Sequence, residues 1–252
     1  MEPASVNNLF FCTPIKSLVL CFISCFLLKN AVAQFTNNST LFRNDRGVTV
    51  HMLVQPSWQN NSVFNKQLET IGYPTQNSFG LHLGLGASYL FKTGTSVGLE
   101  YAIHPTQKQA NGNSTKLNQH LFLFTVKQYI IDLHRARLFI SLSGMGLEEQ
   151  YTFNRQMSPP SSLVNAITTP NTTRFNRYAD GIGGSIGITF KGENGLTHRI
   201  TDFVEMETGY RMHVGTPFYT SGEADLPALS GDSFRQFYIA FRGGLFIRKK
   251  KK

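Results

Sequence analysis

The sequence predicts an all-β fold, a closed antiparallel barrel of eight strands, and three observations carry that prediction. Side chains alternate with period two over unusually long stretches. In "FGLHLGLGASYLF", residues 79–91, Phe79, Leu81, Leu83, Leu85, Ala87, Tyr89 and Phe91 share one face, and Gly80, His82, Gly84, Gly86 and Ser88 share the other. Such stretches number eight, an even count, with no convincing amphipathic helix between them. The connections alternate in length, as when one end of a barrel carries turns and the other carries loops.

The elements follow in order along the 252 residues. Lys16, the apolar run Ser17 to Leu28 and an Ala-x-Ala site at Ala31–Ala33 read as a secretory signal peptide over residues 1–33. Residues 34–252 then read as one barrel domain with a basic C-terminal tail. The first strand is "GVTVHMLVQ", with Val48, Val50, Met52 and Val54 on one face, and the stretch quoted above is the second. "TSVGLEYAI" is the third, with Thr95, Val97, Leu99, Tyr101 and Ile103 together. "NQHLFLFTVKQYII" is the fourth, and "ARLFISLSGMGLEEQYTF" the fifth, with a bulge expected around Gly144 and Gly146. "RYADGIGGSIGITF", "TDFVEMETGYRMHV" and "RQFYIAFRGGLFI" complete the set. The connections at 92–94, 132–135 and 191–199 are short or moderate. Those at 56–76, 105–116, 154–176 and 215–232 are longer, polar and rich in Asn, Ser and Pro.

Composition then decides which face points inward. A soluble barrel needs an outer face wetted by charged and polar side chains, yet here the second face is mostly Gly, Ser and Ala. Small residues suit the crowded interior of a narrow barrel, so the greasy face points out, toward lipid. Twelve residue steps from Phe79 to Phe91, tilted near 40°, cover about 30 Å, enough to bracket an apolar band with an aromatic at each rim. Closure also leaves no unpaired edge, which lipid requires. The same alternation turns Glu100, Glu205, Glu207, Arg211 and Arg242 inward, together with His82, His104 and His213. Buried charges of both signs are tolerable when paired or hydrated. An interior ionic network is therefore expected, with Arg211 beside the Glu205–Glu207 carboxylates and Arg242 reaching them from the last strand.

A chain with this leader, this strand rhythm and no cysteine after Gln34 resembles the small eight-stranded outer-membrane β-barrels of Gram-negative bacteria. It is similar to the OmpA/OmpX type and the outer-membrane β-barrel domain families around it. The resemblance covers essentially the whole chain after the leader. It implies a transmembrane β-barrel in the bacterial outer membrane, with short periplasmic turns and long extracellular loops. Such barrels usually end on an aromatic residue read by the assembly machinery. Here Phe246 is followed by Ile247 and the tail "RKKKK", a departure from that pattern.

Chemistry is sparse. All three cysteines lie in the leader, so the remaining chain offers no disulfide, thiolate nucleophile or zinc–thiolate site. The net charge of +9 draws in part on the terminal tail, and no stripe of basic and aromatic residues points to nucleic acid. No His-x-Ser pair and no metal-ligand spacing occurs, and "GIGGSIG" at 181–187 lacks the Lys-Ser/Thr and the helix of a phosphate loop. No catalytic, cofactor or metal residue is assigned, and no cofactor is expected. Trp58, Tyr73, Phe218 and Tyr219 form a candidate recognition surface on the long loops, with a cap over the barrel mouth as the competing expectation. The leading function is a structural or interaction role, possible as an accessory subunit of a secretion or uptake complex. The partners would be outer-membrane lipids and proteins met through loops or periplasmic turns. A narrow passive pore for small solutes is the alternative, and a lipid-modifying enzyme is a third reading with no motif behind it.

Overall fold

The computed structural model describes residues 46–110, 112–133, 136–154, 172–192, 200–215, 218–221, 224–226 and 234–249. The leader and the last three lysines lie outside the described residues. The elements are β1 (Gly47–Gln59), α1 (Ser62–Thr70), β2 (Phe79–Leu90), β3 (Thr95–Ala110), β4 (Asn113–Leu133), β5 (Ala136–Asn154), β6 (Thr172–Lys191), β7 (Ile200–His213), the short β8 (Phe218–Ser221) and β9 (Ala224–Leu226), and β10 (Arg235–Arg248). Each long strand pairs antiparallel with the next, and β10 pairs with both β7 and β1. The β5–β6 ladder completes a closed barrel of eight strands, β1 to β7 and β10. The β8–β9 hairpin hangs on the free edge of β6.

The two faces divide as period-two alternation requires. Outside, Val50, Met52, Leu83, Leu85, Leu99, Ile186 and Val204 are all more than half exposed. That belt of bare aliphatic surface would be untenable in water. Its rims are aromatic: Trp58 sits between Phe79 and Phe237 at the loop end, with ring centroids 5.5 and 5.7 Å away. Tyr89 packs edge-on against Phe91 at the turn end.

Three expectations are corrected. Residues 105–116 are not a loop: β3 and β4 run on as one hairpin to the Ala110–Asn113 pair. The sequence carried the signal, because Asn-Gly at 111–112 is the pair that two-residue hairpins favour, and Gly112 sits at φ +78°. The bulge lies at Tyr129–Ile131 of β4, whereas pairing continues unbroken through Gly144 and Gly146. It leaves both Ile130 and Ile131 exposed. Finally, the first long connection contains a helix. In α1, Phe64 and Leu68 stand one turn apart and are buried. Gly72, at φ +77°, ends the helix: its N–H donates to the Glu69 carbonyl and the Tyr73 N–H donates to the Leu68 carbonyl.

The barrel is also lopsided. The β2–β3 pairing stops at Leu83–Ile103, and the β6–β7 pairing stops at Gly181–His213. Beyond those points β3 to β6 continue as a wall. Its outer face turns polar at His120, Glu148 and Asp180, and its inner face carries Leu117, Tyr151, Phe153 and Phe175.

Candidate functional site

The inward side chains of β1 measure out the lumen from the turn end to the loop end. Thr49 lines a vestibule open at the turn end, whose wall includes Ser88, Ser96, Tyr129, Arg137, Thr189 and Phe246. The Thr49 and Ser88 hydroxyls are hydrogen-bonded across β1 and β2, 2.5 Å apart.

The next inward residue, His51, belongs to an ionic cluster at the vestibule floor. Arg242 is its hub. Its Nε and Nη2 donate to the two oxygens of Glu100 at 2.6 and 3.0 Å, and its Nη1 donates to Glu205 at 2.9 Å and Glu207 at 2.5 Å. Lys127 donates to Glu205 and stands 3.8 Å from Glu207. His51 Nε2 lies 3.1 Å from Glu100. The remaining carboxylate lone pairs take Thr189 at 3.0 Å, Ser141 at 3.5 Å and the Tyr238 hydroxyl at 2.8 Å. Register makes this possible, because Arg242 is directly opposite Glu205 on β7. Of the eight barrel strands, β2 contributes no side chain but contributes room. A Cβ on Gly86 would stand 2.4 Å from His51 Nε2 and 2.7 Å from Glu100 Cγ. The near-empty face of the second strand is thus the space through which its neighbours' charged side chains meet.

Above the charges, Leu53 joins Leu121, Leu123, Met145 and Leu147 in an apolar layer. Gln55 opens the next layer, where Arg211 corrects a sequence expectation. Arg211 does not pair with Glu205 or Glu207. Its Nη1 and Nη2 donate to Gln236 Oε1 at 3.2 Å and Gln55 Oε1 at 3.1 Å, and its guanidinium lies 3.7 Å over the Tyr238 ring. Further toward the loop end Ser57 is 3.3 Å from His82 Nδ1, and the His82 and His104 rings are 5.3 Å apart. His213 contacts the Asp180 carbonyl at 2.6 Å. Near the level of Gln59, Arg177 donates to Glu149 at 2.6 Å, and Glu149 also accepts from Gln119 at 2.6 Å and Tyr151 at 3.0 Å.

Lys127, Glu149, Arg177 and His51 were missed as members of the interior network. Strand parity marks all four. Lys127 shares its face with Leu121 and Leu123, and Arg177 shares its face with Gly181 and Gly183. Glu148, on the opposite parity from Glu149, points outward, where the Tyr178 hydroxyl donates to it at 3.3 Å and Gln150 at 3.1 Å.

The aromatic loop residues are also redistributed. Trp58 is a rim residue of β1 rather than a loop residue. Tyr73 is half-buried, with its ring edge-on to Phe153 at 5.0 Å. Phe64 lies 4.7 Å from Tyr151 and 5.9 Å from Phe175, so α1 leans on the wall and caps the lumen. Phe218 and Tyr219 fall in β8, and their side chains lie outside the described residues.

Closure, an outward aliphatic belt with aromatic rims and a charged, filled interior together define the class of this molecule. It is a transmembrane β-barrel of eight strands, the fold of the small outer-membrane barrels. Similar solved structures include Neisserial surface protein A, with 11% identity and TM-score 0.43, covering 81% of this chain and 97% of that one. Ail, the attachment invasion locus protein of Yersinia pestis, was solved in complex with the heparin analogue sucrose octasulfate; it is 9% identical with TM-score 0.42, covering 81% and 99%. The outer membrane protease OmpT of Escherichia coli is 9% identical with TM-score 0.39, covering 85% and 100%. No protein-family model matches the chain, and no curated protein matches it in sequence.

Proposed function

We propose that this protein is a non-conducting, non-enzymatic barrel whose role is interaction: the belt meets outer-membrane lipids, and the wall above it meets a protein partner. The observation that carries the reading is the filling of the lumen along β1. Behind His51, Leu53, Gln55, Ser57 and Gln59 lie, in turn, an ionic, an apolar, an amide, a histidine and a second ionic layer, and these β1 residues are themselves buried. An eight-stranded barrel has room for little beyond its own side chains. Function then falls to the surface outside the lumen. The polar part of the wall runs seven residue steps along β4, from His120 to Asn113, about 23 Å at ~3.3 Å per residue. Its outer face presents Lys116, Asn118, Gln150 and Asn176 beyond a Tyr101–His120 contact of 2.7 Å.

Two measurements test the reading. Planar-bilayer recordings are expected to show no steady current, and large reproducible open steps would put the passive pore first. A photo-crosslinker placed at Asn118 in native membranes is expected to capture a discrete protein, whereas one at Met52 in the belt captures lipid. Capture at neither the wall nor the other loop-end positions would remove the interaction role.

A further inference from the structure

We propose that Arg46 and Lys249 together hold the phosphate of an anionic phospholipid at the turn end of the belt. The inference rests on the belt meeting lipid and is independent of a protein partner at the wall. β1 and β10 close the barrel, and their last outward-facing apolar pair at this end is Val48–Ile247, both exposed. The ladder runs one bond past the Gly47–Arg248 pair, from the Lys249 N–H to the Arg46 carbonyl at 2.9 Å. By alternation Arg46 and Lys249 are the next outward pair. They stand opposite each other, two residues beyond Val48 and Ile247, roughly 7 Å along the strands. Phe91, which packs on Tyr89 to form the aromatic rim, follows Leu90, the β2 partner of Gly47. The two cations thus stand at the rim, where hydrocarbon gives way to headgroups.

Like charges directly opposite on one face of a sheet repel. Among the described residues, neither Arg46 nor Lys249 enters an ion pair. Of the acids described at this end outside the ionic cluster, Asp132 is held by Arg137. Asp202 stands opposite Leu245, two outward places short of Lys249. Lys92, exposed in the turn after β2, adds a cation at the same end. The rim at the loop end differs in sign, since the outer face there turns polar at His120, Glu148 and Asp180.

The charge that relieves this repulsion therefore comes from outside the chain. Water solvates each cation but leaves the two facing each other. A phosphodiester carries one negative charge and two free oxygens, which a planar guanidinium can take in parallel or share with an ammonium. Anionic headgroups attract Lys and Arg held close to the membrane surface. A phosphate carried on acyl chains is favoured over a free one, because those chains lie along Val48 and Ile247 and bring the phosphate to this height.

The test uses the full chain in vesicles of phosphatidylcholine alone or of phosphatidylcholine mixed equally with phosphatidylglycerol. Trp58 is the sole tryptophan, and its quenching by phosphatidylcholine with brominated chains reports that the belt lies in lipid. In the mixture, native mass spectrometry is expected to find phosphatidylglycerol enriched about fivefold among retained lipids. The enrichment is expected to vanish in the double variant Arg46→Gln, Lys249→Gln and to survive when Lys250, Lys251 and Lys252 are changed to Gln. Lys249→Gln alone is expected to raise the urea midpoint in phosphatidylcholine, where it relieves repulsion, and to lower it in the mixture, where it removes a phosphate contact. Midpoint shifts of one sign in both membranes overturn the proposal. So does enrichment that follows the three tail lysines instead of the pair, and so does inorganic phosphate reproducing the phosphatidylglycerol effect in phosphatidylcholine vesicles. Quenching of Trp58 without enrichment in the unaltered protein overturns this proposal alone, whether or not the variants assemble. Absence of quenching removes the belt reading and the proposal with it.

Discussion

On the β7–β10 ladder Arg242 stands opposite Glu205 and Arg211 stands three inward places further on, opposite Gln236, and both are almost wholly buried. Their surroundings follow opposite rules. Arg242 faces three carboxylates drawn from two other strands, with Lys127 and His51 sharing them. Arg211 faces two neutral amides and an aromatic ring. The first arrangement ties together strands distant in sequence, since Glu100 and Arg242 are 142 residues apart. The second holds one guanidinium flat among neutral groups, one of which, Tyr238, reaches on to Glu207. A buried arginine can be accommodated either way, but only the first makes the removal of a single partner expose several opposite charges at once.

The comparison is broken or sharpened by substitutions of decreasing effect. Arg242→Ala strands Glu100, Glu205 and Glu207 against Lys127 alone, and should destabilise the barrel by about 3–5 kcal/mol. The check is the unfolding midpoint in urea together with loss of heat-modifiable gel migration. A shift no larger than that of a surface lysine would mean that the cluster is hydrated and loosely coupled. Arg177→Ala leaves Glu149, whose oxygens keep Gln119 and Tyr151, so its cost belongs at the low end, about 3 kcal/mol. If it exceeds Arg242→Ala, the upper layer is the one that ties the barrel. Leu68→Ala removes a buried contact of the cap rather than of the barrel. It should cost about 2 kcal/mol, read locally as faster amide exchange in α1 while the midpoint of the strands holds. Lys116→Ala, on the exposed outer face of the wall, should stay within about 0.5 kcal/mol and sets the floor for the series.

The local alternation of the chain determined a great deal. Successive side chains on a strand point to opposite faces by covalent geometry alone, so parity was enough to place Val50 and Met52 outside and Glu100, Glu205, Glu207, Arg211 and Arg242 inside. Parity of the same kind was available for Lys127, Glu149 and Arg177. The Asn-Gly pair at 111–112, and Phe64 and Leu68 one turn apart before Gly72, are likewise written in the sequence, inside stretches whose polar, Asn-rich composition resembles that of a loop. What no local pattern contains is height. Whether Arg242 meets Glu205 or Arg211 meets Glu207 depends on how β10 and β7 slide against each other and on the stagger that closes the barrel. Both are set by hydrogen-bond ladders between strands far apart in the chain. The tertiary structure put Arg242 opposite Glu205 and set Arg211 opposite Gln236. It spent the glycines of β2 and β6 on making space for those side chains. Face is a property of one strand, and level is a property of all eight together.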